Sequence, residues 1–252
     1  MTLTGTHALV TGGGTGIGLA IAQSLAAEGC TVTITGRRQD VLDKVAAETP
    51  GLFGMAMDVR NEADVISTFE KAVQARGPIQ ICVANAGVAE GRALHKTDLD
   101  FWRNMMATNL DGAFLTIREA LKSMHEAEWG RVIAISSIAG VKGLKGASCY
   151  TASKHGLIGL IRGLSEDYLG QNITFNALCP AYVDTDIVTR NMTAIAERAG
   201  ISEEKAHKIM VSANKHNRLI ASEEVATAAM WLVSEGAASV NGQTIEIAGG
   251  QI

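Results

Sequence analysis

Short apolar runs rich in β-branched residues alternate with longer amphipathic stretches along the chain. The short runs occupy residues 8–11, 31–35, 52–57, 79–84, 131–136, 173–178 and 243–247. Each is bounded by Gly, Asp, Asn or Pro, and together they predict buried strands. Helices are predicted over 17–28, 39–48, 62–76, 99–127, 150–169 and 222–234. The first carries Ile17, Ile21, Ala22 and Leu25 on one face, with Gln23 and Glu28 off it, the 3.6-residue stripe of a helix packed on a core. Strand and helix in alternation predict an α/β architecture, with a parallel sheet covered by helices on both faces. The rhythm breaks once, over 181–218, where scattered apolar residues (Ile187, Val188, Met192, Ile195, Ile209, Met210) replace a strand. An insertion of that length predicts either a lid over a site or a surface helical hairpin, and its length favours the lid.

Composition narrows the class. The chain has 252 residues, 47% of them hydrophobic and 19% charged, enough for one sizeable core and too apolar for a disordered protein. Its 22 Lys and Arg against 26 Asp and Glu leave a formal charge of −4. That balance offers no basic field for nucleic acid and no polybasic patch for a membrane. No apolar run approaches the ~20 residues that cross a bilayer, and the first residues lack a cationic leader pattern. Cys30, Cys82, Cys149 and Cys179 are widely spaced, unlike a zinc site or a redox dithiol. The expectation is a cytoplasmic protein with reduced thiols and no metal.

After the first strand comes Thr11-Gly12-Gly13-Gly14-Thr15-Gly16-Ile17-Gly18, and then a helix. Such a turn lets backbone approach a pyrophosphate while the helix N–H groups and dipole face it. The spacing is not that of a Walker loop, which needs Gly-Lys-Ser/Thr. Gly36 stands at the end of the second strand, where a carboxylate would accept from a ribose 2′-hydroxyl, and Arg37 and Arg38 follow. Two guanidinium forks suit a 2′-phosphate, so NADP(H) is expected over NAD(H). The alternative for these arginines is a solvated pair after a turn. Asp58 and Val59 follow the third strand, where Asp58 can accept from an adenine amino group. Asn85-Ala86-Gly87 follow the fourth strand.

Tyr150 and Lys154 are one helical turn apart and share a face. An ammonium beside a phenol lowers the phenol's pKa from ~10 toward the working range, giving a general acid/base for a carbonyl/alcohol pair. Ser137, at the end of the fifth strand, can donate to the substrate oxygen. Asn109 can hold a water that relays protons to Lys154. His155, Met105 and Met106 are expected to be structural.

In this order and spacing the residues resemble the classical short-chain dehydrogenases/reductases over essentially the whole chain. The resemblance runs from Thr11, Gly12, Gly16 and Gly18 through Asn85-Ala86-Gly87 and the tetrad Asn109, Ser137, Tyr150 and Lys154, to Pro180 and Thr185. It implies one doubly wound Rossmann domain over 1–252, with a seven-stranded sheet in the order 3-2-1-4-5-6-7. It also implies a homotetramer in which helices 99–127 and 150–169 pack against their copies. Lys154 would bond the nicotinamide ribose, and Val183 and Thr185 the carboxamide. Two positions depart from the family pattern: Ala84 replaces an Asn, and Ala181 replaces the Gly after Pro180.

The substrate is less determined. The stretch 196–202 is similar to that of 3-hydroxybutyrate dehydrogenases. Their carboxylate-holding Lys, His and Gln are replaced here by Ala147, Ala139 and Ala89. A bulkier ketone or a 3-oxoacyl thioester is therefore expected, with a 3-hydroxybutyrate-type NAD-dependent enzyme as the alternative. Lys142, Lys145, Arg190, Lys205, Lys208 and Lys215 could meet the phosphates of an acyl carrier, or be solvated surface residues. A rival of another class is a dinucleotide-binding sensor or scaffold without chemistry, against which the complete tetrad argues.

Overall fold

The computed structural model describes residues 2–250 except 187, 190, 191, 194, 195 and 197–199. Seven parallel strands form one sheet in the order β3-β2-β1-β4-β5-β6-β7. They are β1 (His7–Thr11), β2 (Thr31–Gly36), β3 (Leu52–Ala56), β4 (Ile81–Ala84), β5 (Gly130–Ile135), β6 (Ile173–Pro180) and β7 (Thr244–Ile247). The flanking helices are α1 (Gly16–Ala27), α2 (Gln39–Glu48), α3 (Glu62–Arg76), α4 (Leu99–Met106), α5 (Gly112–Ala127), α6 (Ser148–Asp167), α7 (Glu203–Ala213) and α8 (Ser222–Val233).

Alternation along each strand divides the core in two. Ala8 and Val10 of β1 face one apolar cluster, with Ile21 and Leu25 of α1 and Val225 and Leu232 of α8. Leu9 faces the other, with Phe69 of α3, Ile117 of α5 and Leu157 and Ile161 of α6. Both faces of the sheet are thus buried. This is why the strands read as unbroken apolar runs rather than alternating ones. Burying a side chain such as Phe69 contributes roughly 1.5–3 kcal/mol.

Helix starts follow their local sequence. Asn61 caps α3, its Oδ1 accepting from Ala63 N at 3.1 Å and Asp64 N at 3.3 Å. Asp98 caps α4 by accepting from Phe101 N at 2.7 Å. The long helix expected over 99–127 is interrupted by a π-helical turn, Ala107–Asp111, that carries Asn109. One residue is added to the turn, so Asn109 points inward, a use of π-turns common at functional sites. Parallel order reverses between β1 and β4, opening a crevice at their carboxyl ends where doubly wound sheets take ligands.

In the insertion after β6, α7 spans Glu203–Ala213, and a parallel bridge joins Val183 to Ile220. Ile187, Arg190 and Ile195 lie outside the described residues, as do 197–199 of the stretch similar to 3-hydroxybutyrate dehydrogenases. No described helix is long and apolar enough to cross a membrane. Among the described residues, no three His, Cys, Asp or Glu are grouped to hold a metal ion. All four cysteines are free and buried.

Candidate active site

The glycine turn is tied to the end of β4. Asn85 Nδ2 donates to Thr11 O at 2.8 Å and Gly12 O at 3.2 Å. Thr11 Oγ1 accepts from Asn85 N and Ala86 N, both at 3.0 Å. Gly12 takes a φ of +64° in this turn, a left-handed conformation that favours glycine. A Cβ at Gly18 would overlap Asn85 Nδ2 and Gly12 O. Gly18→Ala is therefore expected to destabilise the fold by about 1–3 kcal/mol through the shifted turn, a loss that urea titration will read as a lower midpoint.

Above the turn, α1 begins at Gly16 behind Thr15, whose side chain makes no capping bond, and its first turn holds no acidic residue. Its leading N–H groups are left for a ligand, and the helix dipole favours an anion there. Gly12, Gly14 and Thr15 line a cavity of about 500 Å³ with Gly36, Arg37, Arg38, Asp58, Val59, Ala86, Gly87 and Val88. An adjoining cavity of about 110 Å³ shares Gly87 and Val88 and is lined by Ile17, Asn85, Ala89, Ser137, Tyr150, Lys154, Pro180, Ala181, Val183 and Thr185. Except for Gly16 and Gly18, which shape the turn itself, the two together bring the expected cofactor-binding residues to one crevice. A phosphate-sized anion fits the helix start, and the arginine pair fits a further phosphate.

Tyr150 and Lys154 face the smaller cavity from α6, and Ser137 faces it from the end of β5. The Ser137 hydroxyl lies near enough to the Tyr150 phenol to favour its ionised form, and it accepts from Ala139 N at 3.1 Å. Lys154 is buried, and its Nζ donates to Ile135 O at 2.8 Å, 5.8 Å from the Tyr150 ring centre.

The electrostatics differ from the sequence expectation. Burial pushes the Tyr150 phenol up rather than down, although the Ser137 hydroxyl opposes the rise. Burial also draws the Lys154 ammonium down to about 8. Desolvation penalises either charged form. At the phenol that penalty outweighs the opposing effect of Ser137.

Asn109 is engaged by both backbone and side chain. Its Oδ1 accepts from Val88 N at 2.8 Å, while Nδ2 donates to Val88 O at 2.9 Å and to Ser153 Oγ at 3.0 Å. The amide clamps the Val88 backbone to α6, and only a second lone pair on Oδ1 remains for a water. A Cβ placed on Gly87 would lie 3.3 Å from Asn109 Oδ1 and 3.6 Å from Lys154 Nζ. Glycine thus keeps the space between amide and ammonium open.

Other residues fall as their surroundings dictate. Met105 is buried, and His155 Nδ1 bonds Thr151 O at 3.0 Å on the helix surface. Cys149 is buried and does not line either cavity. Lys208 pairs with Glu204 at 2.8 Å, both exposed.

Asp58, expected to hold an adenine amino group, is engaged by Arg60. Arg60 Nε donates to Oδ1 at 3.0 Å and Oδ2 at 3.1 Å, and Nη2 to Oδ2 at 2.6 Å. That contact holds the Asp58 carboxyl below the usual carboxylate range. Arg60 and Asn214 are not apparent in sequence, nor is the tie that Thr11 makes to Asn85. Asn214, fully buried, donates to Tyr182 O at 3.0 Å and Arg218 O at 2.7 Å and accepts from Tyr182 N at 3.2 Å. It fastens the end of α7 to the turn beside Val183. Only the Asp-x-Arg spacing carried a signal, since an Asp readily bonds the backbone two residues on.

A glycine-tied crevice with a Ser, a Tyr and a buried Lys at the sheet's carboxyl edge defines a dinucleotide-dependent oxidoreductase site. A profile of the short chain dehydrogenases matches residues 6–196. The chain belongs to that family and acts on CH–OH or ketone groups. It is 34% identical to a 3-oxoacyl-[acyl-carrier-protein] reductase of Aquifex aeolicus (strain VF5), with 98% of each chain covered. It is 31% identical to the D-beta-hydroxybutyrate dehydrogenase of Rhizobium meliloti (strain 1021), covering 96% of this chain and 97% of that one. Among solved structures, a single-substitution variant of actinorhodin polyketide ketoreductase with NADPH superposes with a TM-score of 0.95 at 31% identity, over 100% of this chain and 99% of that one.

Proposed function

We propose that the protein transfers a hydride between NADP(H) and a carbonyl/secondary alcohol pair, with Tyr150 as general acid/base. The observation that carries this reading is Ser137, Tyr150 and Lys154 lining one cavity that is joined, through Gly87 and Val88, to the arginine-lined one. The dinucleotide supplies the hydride in reduction and takes it in oxidation. In reduction, Ser137 donates a hydrogen bond to the substrate oxygen and orients it. Tyr150 passes its proton to that oxygen as the carbonyl carbon becomes tetrahedral, and the C=O π pair becomes the new O–H bond. Lys154, still mostly protonated at pH 7 with a pKa of about 8, offsets the phenolate that remains. Asn109 keeps Val88 and α6 in register around this group. Residues 181–218 act as the lid.

The substrate is a bulky ketone or a 3-oxoacyl thioester. Ala89 and Ala181 line the smaller cavity, and Lys154 is its only charged lining residue among those described. The reductase and ketoreductase relatives support this reading. The D-beta-hydroxybutyrate relative favours a second reading, a small hydroxy acid as substrate. Ala89, Ala139 and Ala147 argue against it, because none can pair with a carboxylate. Following NADPH and NADH absorbance against acetoacetate, acetoacetyl thioesters, cyclic ketones and aryl ketones separates the readings. Turnover confined to acetoacetate overturns the larger-substrate reading.

The cofactor preference is tested by Arg37→Ala. Arg37 lines the larger cavity, and its side chain makes no hydrogen bond or ion pair among the described residues. The variant should weaken NADPH about tenfold or more, as loss of a charged hydrogen-bonding partner predicts, and NADH much less. Equal losses for both would make Arg37 a surface residue. The reading includes a cytoplasmic homotetramer. Leu99, Trp102 and Phe114 are exposed on α4 and α5 and would be covered by a second copy, which light scattering of the purified protein checks.

A further inference from the structure

The larger cavity carries four charged side chains: Arg37, Arg38, Arg60 and Asp58. Asp58 is the only acid among the described residues that line it. An unmasked carboxylate there would act against the site in two ways. It would repel a phosphate bound by the same wall, and it would compete for the Arg37 guanidinium, which is near enough to bias its ionisation. In the structure Arg60 takes both Asp58 oxygens in a fork. Arg60 N adds a further bond to Oδ1 at 3.0 Å. The rest of the Arg60 guanidinium is fixed from α4, where Nη1 donates to Asn104 Oδ1 at 3.0 Å. The Arg37 and Arg38 side chains make no hydrogen bond or ion pair among the described residues.

We infer that Arg60 is a cofactor-selectivity residue that acts through Asp58. By pairing with that carboxylate it removes the one negative charge from the wall and leaves Arg37 and Arg38 free for a ribose phosphate. The inference rests on the dinucleotide reading and adds a residue to it. Stability does not account for the arrangement, since a half-exposed ion pair contributes little to folding. Its fork geometry does, because a lysine could not satisfy both oxygens and Asn104 at once.

The test is calorimetric titration of NADPH and NADH into the parent, Arg60→Ala, and the double variant Arg60→Ala with Asp58→Asn. Exposing a carboxylate near a phosphate should raise the NADPH Kd about tenfold for Arg60→Ala, with the NADH Kd changed less than about threefold. In the double variant the charge is gone but an acceptor oxygen remains. Its NADPH-over-NADH ratio should return to within about threefold of the parent's. Equal losses for the two dinucleotides, or a double variant as unselective as Arg60→Ala, overturn the inference while leaving the dinucleotide site standing. A parent that binds neither dinucleotide removes that reading, and this one with it.

Discussion

Tyr150→Phe is expected to lower kcat for ketone reduction by about 10³-fold or more, while the NADPH Kd stays within about threefold of the parent's. The phenol is the group positioned to give a proton, and general acids contribute about 10²–10⁴ in rate. The substitution removes one oxygen and leaves the ring beside Lys154 and Ser137. Because burial raises the phenol, the parent holds its proton at neutral pH and is charged for reduction. Stopped-flow measurement of the hydride step separates this from slow product release. A variant that reduces ketones at the parent rate assigns the proton to another group.

The glycine turn, the strand ends and the order of Asn109, Ser137, Tyr150 and Lys154 are local signals. Parallel topology carries Ser137, Tyr150 and Lys154 to one crevice, with Asn109 behind it on the Val88 backbone. Sequence spacing placed Lys154 beside Tyr150. The sign of the phenol's shift depends on burial, which is set by segments far apart in the chain: β5, β6 and α6 enclose both groups. Asn109 was legible as a polar residue in a helix, but a π-turn has no compositional mark, and its bonds to Val88 and Ser153 exist only in three dimensions. The same holds for Arg60. Its neighbour Asp58 is two residues away, yet what makes the pair matter is Arg37, 23 residues earlier and across the cavity. Asn214 bonds the turn at Tyr182, 32 residues upstream, and nothing in its local sequence marks that partner.

Lys154→Met should separate activity from stability. The ammonium is buried and its pKa is drawn from 10.5 to about 8, so keeping it charged costs on the order of 3 kcal/mol at neutral pH. Removing it leaves Ile135 O without its donor, a loss of about 1–3 kcal/mol. The two nearly cancel, so the variant is expected to be as stable as the parent or more so at pH 7, while kcat falls by about 10²-fold or more as the phenolate loses its counter-charge. The pH dependence fixes the sign. Between about 8 and 10.5 the unfolded lysine binds a proton that the folded one has released. Stability of the parent should therefore rise with pH across that window, and below it the penalty is constant. In Lys154→Met that rise should be absent. Urea titrations of both proteins at pH 7 and pH 10 check this, and equal slopes with pH would show that the ammonium is not desolvated in the folded state. The same titration should appear in the parent's activity, with kcat/KM for reduction falling above about pH 8 as the cation is lost.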